Sequence, residues 1–136
     1  MSTASYHPDD LTAPLPQNTD DEIFRRSALL ITRRGWCQGQ GLLYVGNPHD
    51  PQAASLVGAL AWAAAGDTRA WTSEVRAATA AVRARLDPEN SAFFDDRELL
   101  CAWNDAPART RDQTIALLLL CRYPTFPYPR NMNRLN

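Results

Sequence analysis

The side chains best suited to chemistry in this chain lie in WNDAPART, residues 103–110. A carboxylate can act as a general acid or base, and Asp105 and Arg109 supply the two opposite charges of this segment. No histidine lies nearby, however, and a lone carboxylate beside an asparagine matches no hydrolase constellation. The pattern therefore favours a turn between two helices over an active site.

The same residues have the properties of a turn. Asn and Asp side chains bond nearby backbone groups, and the proline of the segment prevents a helix from continuing. Thr110 and Gln113 have the spacing of a capping box, so a last helix is predicted to begin there. In this interpretation Trp103 is buried and anchors the turn, while Asp105 pairs with Arg109 or accepts N–H bonds within the turn.

An alternative interpretation is an enzyme or ligand-binding protein with a pocket formed by Trp36, Cys37, Trp103, Asp105 and Arg109. The nearby glycines do not supply a nucleotide site, because their spacing fits no nucleotide-binding fingerprint and the chain has no lysine for a P-loop. The three cysteines are widely separated, and the two histidines are not spaced as ligands. No cofactor and no metal site are predicted.

The elements that would position these residues are mostly helices. The first is predicted to start at Thr19, with acids in its first turn, and to end at Gly35. A short strand or apolar loop over Leu42–Val45 follows. Asp50 and Pro51 then favour the start of an apolar, central helix that Gly66 ends. Small residues recur along that helix and favour close approach of another helix: Ala54, Gly58, Ala61 and Ala65.

A longer helix is predicted from Asp67 or Thr68 to about Leu86, and a shorter one from Phe93 to Trp103. The longer helix has a predicted core-facing stripe of Trp71, Val75, Ala78 and Val82. Its other face carries Arg69, Arg76 and Arg83, which is typical of a solvated face. The alternative is a DNA-binding regulator that uses these arginines, but no aromatic residue is interleaved with them to stack bases.

The predicted fold class is therefore mainly α: a compact bundle of four to five helices with one short strand or extended loop. We predict an extended acidic arm over residues 1–18, a helical domain over 19–122, and a basic arm rich in proline and aromatic residues over 123–136. Proline favours an extended backbone with a low ordering cost. The C-terminal arm supplies the candidate partner-binding residues Tyr123, Phe126, Tyr128, Arg130 and Arg134, which would contact a partner, another copy or the domain itself.

Composition sets the wider frame. The chain has 136 residues and a net charge of -1, which gives no overall reason to expect binding to nucleic acid or to an anionic membrane. No signal peptide is visible, and the longest apolar segment is too short to span a bilayer. Three widely spaced cysteines are typical of reduced thiols, so the predicted location is the cytoplasm.

The segments RRGWCQG and WNDAPARTRDQTIALL, with a GAL helix between them, resemble a family of short actinobacterial and actinophage proteins with Gly-Trp-x-x-Gly and Trp-Asn-Asp…Arg-Thr motifs. The resemblance covers about residues 23–121. It implies a shared fold and such a host, but it carries no catalytic residue. The leading hypothesis is a non-enzymatic cytoplasmic protein that binds a protein partner through its arms. A phage is one candidate source of the gene.

Overall fold

The computed structural model describes residues 20–122, which form five helices and one two-stranded sheet. The elements are α1 (Asp20–Arg33), β1 (Tyr44–Asn47), β2 (Asp50–Ala54), α2 (Leu56–Ala65), α3 (Ser73–Leu86), α4 (Asp96–Asp105) and α5 (Arg111–Leu120). The predicted mainly α bundle is confirmed. Both arms and the capping residue Thr19 lie outside the described residues, so the proposed domain boundaries stay predictions.

Helix α1 is the middle of three helices, because it packs against α2 on one side and α5 on the other. Three acids lie in its first turn and Arg33 in its last, which complements the helix dipole. Phe24, Ala28 and Ile31 are buried as the spacing predicts. The Ser27 hydroxyl lies 3.3 Å from the carbonyl oxygen of Ala59, so α1 and α2 approach closely.

The prediction that the central helix starts at Asp50 and Pro51 is wrong. These residues belong to β2, which pairs antiparallel with β1, and the helix begins after Ser55. The Ser55 side chain accepts from the Gly58 N–H, the usual N-cap bond. Pairing of β2 with β1 uses the backbone that the earlier cap would have placed in a helix. Gly66 ends the helix in the left-handed conformation, as predicted.

Gly58 makes a close contact, but its partner is not a helix. A methyl group at this position would overlap the carbonyl oxygen of Leu43, in the chain that leads into β1. The small side chain therefore makes room for backbone rather than for a neighbouring helix. This contact fixes the hairpin against the first turn of α2.

Helix α3 begins later than predicted, at Ser73, with Thr72 as its cap. Asp67 instead closes a local turn, since its side chain accepts from the N–H of Arg69 at 2.8 Å. Trp71 consequently lies outside the helix and is 39% exposed, so its predicted place in the core is wrong. The other three members of the predicted stripe are buried.

Helices α4 and α5 both start at capping boxes. Asp95 and Glu98 cap α4, which therefore starts at Asp96 rather than at Phe93 as predicted, and the Phe93 ring is exposed. Thr110 and Gln113 cap α5, as predicted. On α5, Leu118 is buried in the core, whereas Leu119 is exposed.

Candidate functional site

The side chain of Asn104, in the last turn of α4, is the centre of the region that the sequence singles out. It is 1% exposed. Its Oδ1 accepts from Trp36 Nε1 at 2.8 Å and from the Leu56 N–H at 3.0 Å. Its Nδ2 donates to the Cys37 carbonyl and to Asp105 Oδ1, both at 3.1 Å. All four hydrogen-bonding positions of the amide are therefore used within the protein.

Asp105 binds the glycine-rich loop that follows α1. Its Oδ1 accepts from the Gly39 N–H and its Oδ2 from the Gly41 N–H, both at 2.8 Å. Partial burial acts to raise the pKa of Asp105, but these N–H bonds and the Asn104 amide outweigh it, so the pKa lies below its usual value. Asp105 is therefore an anion held by backbone, and the predicted alternatives of an ion pair with Arg109 or bonds within its own turn are wrong.

The loop is shaped to hold that carboxylate. Gly39, Gln40 and Gly41 all have positive φ, at 119°, 52° and 76°. This backbone conformation directs the N–H groups of Gly39 and Gly41 to the same carboxylate, so the loop forms an anion-binding concavity of the kind that backbone N–H groups make in turns. A glycine-dense loop raises the question of a phosphate cradle, and the structure shows that this concavity holds the protein's own Asp105. The sequence signal was a Gly-x-Gly loop with spare donors and a distant Asn-Asp pair with spare acceptors.

Trp103 and Arg109 form a second layer around this contact. The Arg109 guanidinium carbon lies 3.8 Å from the centroid of the Trp103 ring, and Arg109 Nε donates to the Trp103 carbonyl at 2.8 Å. Trp103 is only partly buried, so the prediction that it is the buried anchor is wrong, and Asn104 has that place. Gln38 Nε2 adds a bond to the Asn104 carbonyl at 2.9 Å.

Cys37 lies in the same region, but its thiol is a weak nucleophile. Burial, and secondarily the charge of Asp105, raise the pKa of its thiol to about 11. The thiolate is the reactive form, so Cys37 stays a neutral thiol near pH 7. The structure thus brings together the five predicted pocket residues, but their polar groups are already bonded within the protein: Trp36 to Asn104, Asp105 to the glycine-rich loop, and Arg109 to the Trp103 carbonyl. We call this set of contacts between residues 36–41 and 103–109 the asparagine joint.

The three arginines of the sequence row do not share one exposed face. Arg69 precedes α3 and pairs with Asp67 at 3.0 Å. Arg83 is 8% exposed and lies within 3.3 Å of carboxylate oxygens of Asp87 and Asp96. Arg76 is exposed. The structure therefore gives no continuous basic surface from this row.

Sequence reasoning missed the exposed aromatic side chains before α3 and α4, which together with Arg97 we call the aromatic patch: Trp71, Phe93, Phe94 and Arg97. Phe93 has a relative exposure of 105%, and Phe94 one of 52%. The Arg97 guanidinium carbon lies 5.6 Å from the centroid of the Trp71 ring. The signal in the sequence was the pair of phenylalanines directly before the Asp95 cap, where the helix had not yet begun.

Side chains of Arg83 and Asp87 fix the loop that carries the two phenylalanines. Arg83 donates to the carbonyl oxygens of Ala92 and Phe94. Asp87 accepts from the N–H groups of Ser91 and Ala92, both at 3.0 Å. These N–H bonds lower the pKa of Asp87 to about 2. The backbone that carries the exposed rings is therefore held in place by hydrogen bonds to Arg83 and Asp87.

Residues 20–122 contain neither a candidate metal site nor a candidate membrane-spanning helix. No cluster of three or more metal-ligating side chains occurs among these residues. None of the helices found there has both the length and the apolar character to cross a bilayer. The candidate arm residues Tyr123, Phe126, Tyr128, Arg130 and Arg134 lie outside this part of the chain.

A protein-family comparison identifies the chain's relatives. The model of the family of unknown function DUF6197 matches residues 15–121 and thus includes both sides of the asparagine joint. The chain belongs to this family. No curated protein and no solved structure gives a significant match.

Proposed function

We propose that this member of the DUF6197 family is a non-catalytic protein that acts by binding another protein, with the aromatic patch as its contact surface. The observation that carries the proposal is the full exposure of Phe93 beside the half-exposed Phe94. Burying one such side chain in an interface is worth roughly 1.5–3 kcal/mol. Aromatic residues and arginine are also enriched at the centres of protein interfaces.

Preorganisation supports the same surface. Arg83 and Asp87 hold the backbone of residues 91–94 through main-chain hydrogen bonds. A partner that covers Phe93 and Phe94 then has little loop ordering to oppose its binding. An exposed aromatic pair on a fixed loop is thus better suited to binding than the same pair on a mobile one.

The surroundings of the patch indicate the partner's chemistry. Glu89, Asp95 and Glu98 are exposed near the phenylalanines in the chain, and Arg97 is the basic group among them. We therefore propose a partner surface with an apolar centre and a basic rim. Binding to such a surface weakens as salt is added, because the charges at the rim are screened.

The asparagine joint supports a non-catalytic role. Asn104 uses its whole amide in structural bonds, Asp105 has both oxygens on backbone N–H groups, and Cys37 has a raised pKa. These are the groups that a ligand-binding or enzymatic pocket would need free. The pocket alternative therefore requires the joint to open, whereas the binding proposal uses the surface as it is.

Three further points belong to the proposal. The N-terminal arm and the distal C-terminal residues Arg130 and Arg134 would add contacts to the partner. The cytoplasm is the proposed location, supported by Cys37, Cys101 and Cys121, all of which have free thiols. An actinobacterial or phage host is proposed from the resemblance alone.

Quantitative affinity capture from the native host tests the proposal. The bait would be the full chain, compared with the double variant Phe93→Ser, Phe94→Ser and with Val45→Ser, a matched change at an exposed apolar residue of the hairpin. We expect the double variant to lose the captured partner while its melting temperature stays within a few degrees. Val45→Ser should retain the partner.

Retention of the same partner by the double variant would contradict the proposal. An Asp105→Asn variant separates the alternative. If that variant remains folded and binds the partner but loses the cellular phenotype of the protein, the region of the asparagine joint acts as a ligand-binding or catalytic site.

A further inference from the structure

An apolar groove of about 300 Å³ lies between α1 and α5, apart from the aromatic patch. Its lining is Arg25, Ala28, Leu29, Thr32, Ile115 and Leu119. Leu119 is 40% exposed, although it sits on a helix whose other face is in the core. The groove is therefore an apolar surface that some further segment would cover favourably.

The ends of the two helices give the groove a direction. Arg122, just after α5, bonds Asp21 at the start of α1 at 3.0 Å. Arg111, at the start of α5, donates to the Thr32 carbonyl near the end of α1 at 2.7 Å. The helices are therefore antiparallel, and the chain leaves α5 at the end of the groove marked by Leu119.

The following sequence has the length and composition to return along this groove. Residues 25–32 of α1 span roughly 10 Å at 1.5 Å per residue. An extended polyproline-type chain rises 3.1 Å per residue, so about three or four residues cover that distance. The segment YPTFPYP, residues 123–129, follows α5 directly in the sequence and has enough residues to turn back and cover this distance.

We propose that residues 123–128 lie in the α1–α5 groove of the same chain, with the Phe126 ring between Ile115 and Leu119. A tethered segment only four residues from Arg122 has a high effective concentration at the groove, which favours it over a second copy. Prolines on either side keep its backbone extended and lower the ordering cost. This contact is independent of the aromatic patch and makes the proximal part of the C-terminal arm part of the fold.

Nuclear Overhauser effects in the full chain test the contact. We expect cross-peaks between the Phe126 ring protons and the methyl groups of Ile115 and Leu119. Phe126→Ser should abolish these cross-peaks, shift both methyl resonances, and lower the melting temperature by about 4–8 °C, the shift that follows from roughly 1 kcal/mol in a domain of this size. Leu15→Ser in the other arm is the matched control and should leave the methyl resonances unchanged.

Each other outcome would overturn the inference. Absence of the cross-peaks, or unchanged methyl resonances in Phe126→Ser, would show that the segment lies elsewhere. Methyl shifts in Leu15→Ser would assign the groove to the N-terminal segment. Cross-peaks that also arise between differently labelled chains in a mixed sample would show that the occupant comes from a second copy.

Discussion

The Asp105 carboxylate accepts hydrogen bonds from two backbone N–H groups, one on each oxygen. Replacement by asparagine would remove one of these two acceptors. An asparagine keeps one acceptor oxygen and turns its NH₂ group toward the second N–H, of either Gly39 or Gly41. Two donors then face each other. From the turn interpretation alone, Asp105→Asn is a mild change, since asparagine also suits turns. The bidentate contact makes the change more costly.

We expect Asp105→Asn to lower the free energy of unfolding by about 1.5–3 kcal/mol at pH 7, the range for a hydrogen bond to a charged group. Urea denaturation measures this value. Glu89→Gln, which neutralises an exposed carboxylate away from the joint, is the control and should change the free energy by less than about 0.5 kcal/mol. Equal effects of the two variants would contradict the bidentate contact.

The same variant has a defined pH dependence. Because the folded pKa of Asp105 is below its ordinary value of about 3.9, its stabilising contribution is fully present above that pH and is lost as the pH falls through the folded pKa. A protonated Asp105 resembles asparagine in shape and hydrogen bonding. The stability difference between wild type and Asp105→Asn should therefore shrink between pH 5 and pH 3. A difference that stays constant over this range would refute the assignment.

Gly58 allows a test at the scale of the elements. Glycine to alanine inside a helix normally stabilises by roughly 1 kcal/mol. Here the new methyl would overlap the Leu43 carbonyl oxygen, and backbone cannot move aside as a flexible side chain can. We expect Gly58→Ala to be destabilising and Gly58→Leu to cost more than about 2 kcal/mol. A raised urea midpoint for Gly58→Ala would show that the contact is absent.

Local signals in the sequence predict the helix ends well where one cap has no competitor. Thr110 with Gln113, and Gly66, act over three or four residues, and both are correct. Such caps depend on bonds between near neighbours in the chain, so tertiary structure does not alter them.

Where two caps compete, the sequence alone does not decide. Asp50 and Ser55 are both good N-caps, and the choice falls to Ser55 because residues 50–54 pair with β1. Asp67 and Thr72 compete in the same way, and the turn that binds Arg69 removes Asp67. The decisive bonds come from other parts of the structure, which local propensity does not contain.

At the scale of the whole molecule, the candidate site was located from the sequence, but its role was not. Trp36 and Asp105 were placed in one candidate pocket, and both bond Asn104 in the structure. Asn104 makes the connecting hydrogen bonds, and its partners Trp36, Cys37 and Leu56 lie 48 to 68 positions before it in the chain. No spacing rule identifies such pairs. Phe93 shows the opposite limit, since its type predicts burial and the start of α4 leaves it exposed.

In the proposed function, the asparagine joint stabilises the fold and the aromatic patch binds the partner. The asparagine joint fastens the glycine-rich loop to α4, and Asn104 also bonds the first turn of α2. The α3–α4 connection presents Phe93 and Phe94 of the aromatic patch. Loss of the joint should lower stability, whereas loss of the patch should lower binding. This separation is what distinguishes a binding protein from one in which the joint is an active site.

Amide hydrogen exchange in an Asn104→Ala variant tests the structural role of the joint most directly. Asn104 accepts from the Leu56 N–H, and it orients Asp105, which accepts from Gly39 and Gly41. We predict that protection at these three amides falls by more than the fall at Leu118 in the core of α5, which reports the global loss of stability. An equal fall at all four amides, or unchanged protection, would contradict the claim that Asn104 and Asp105 hold this loop.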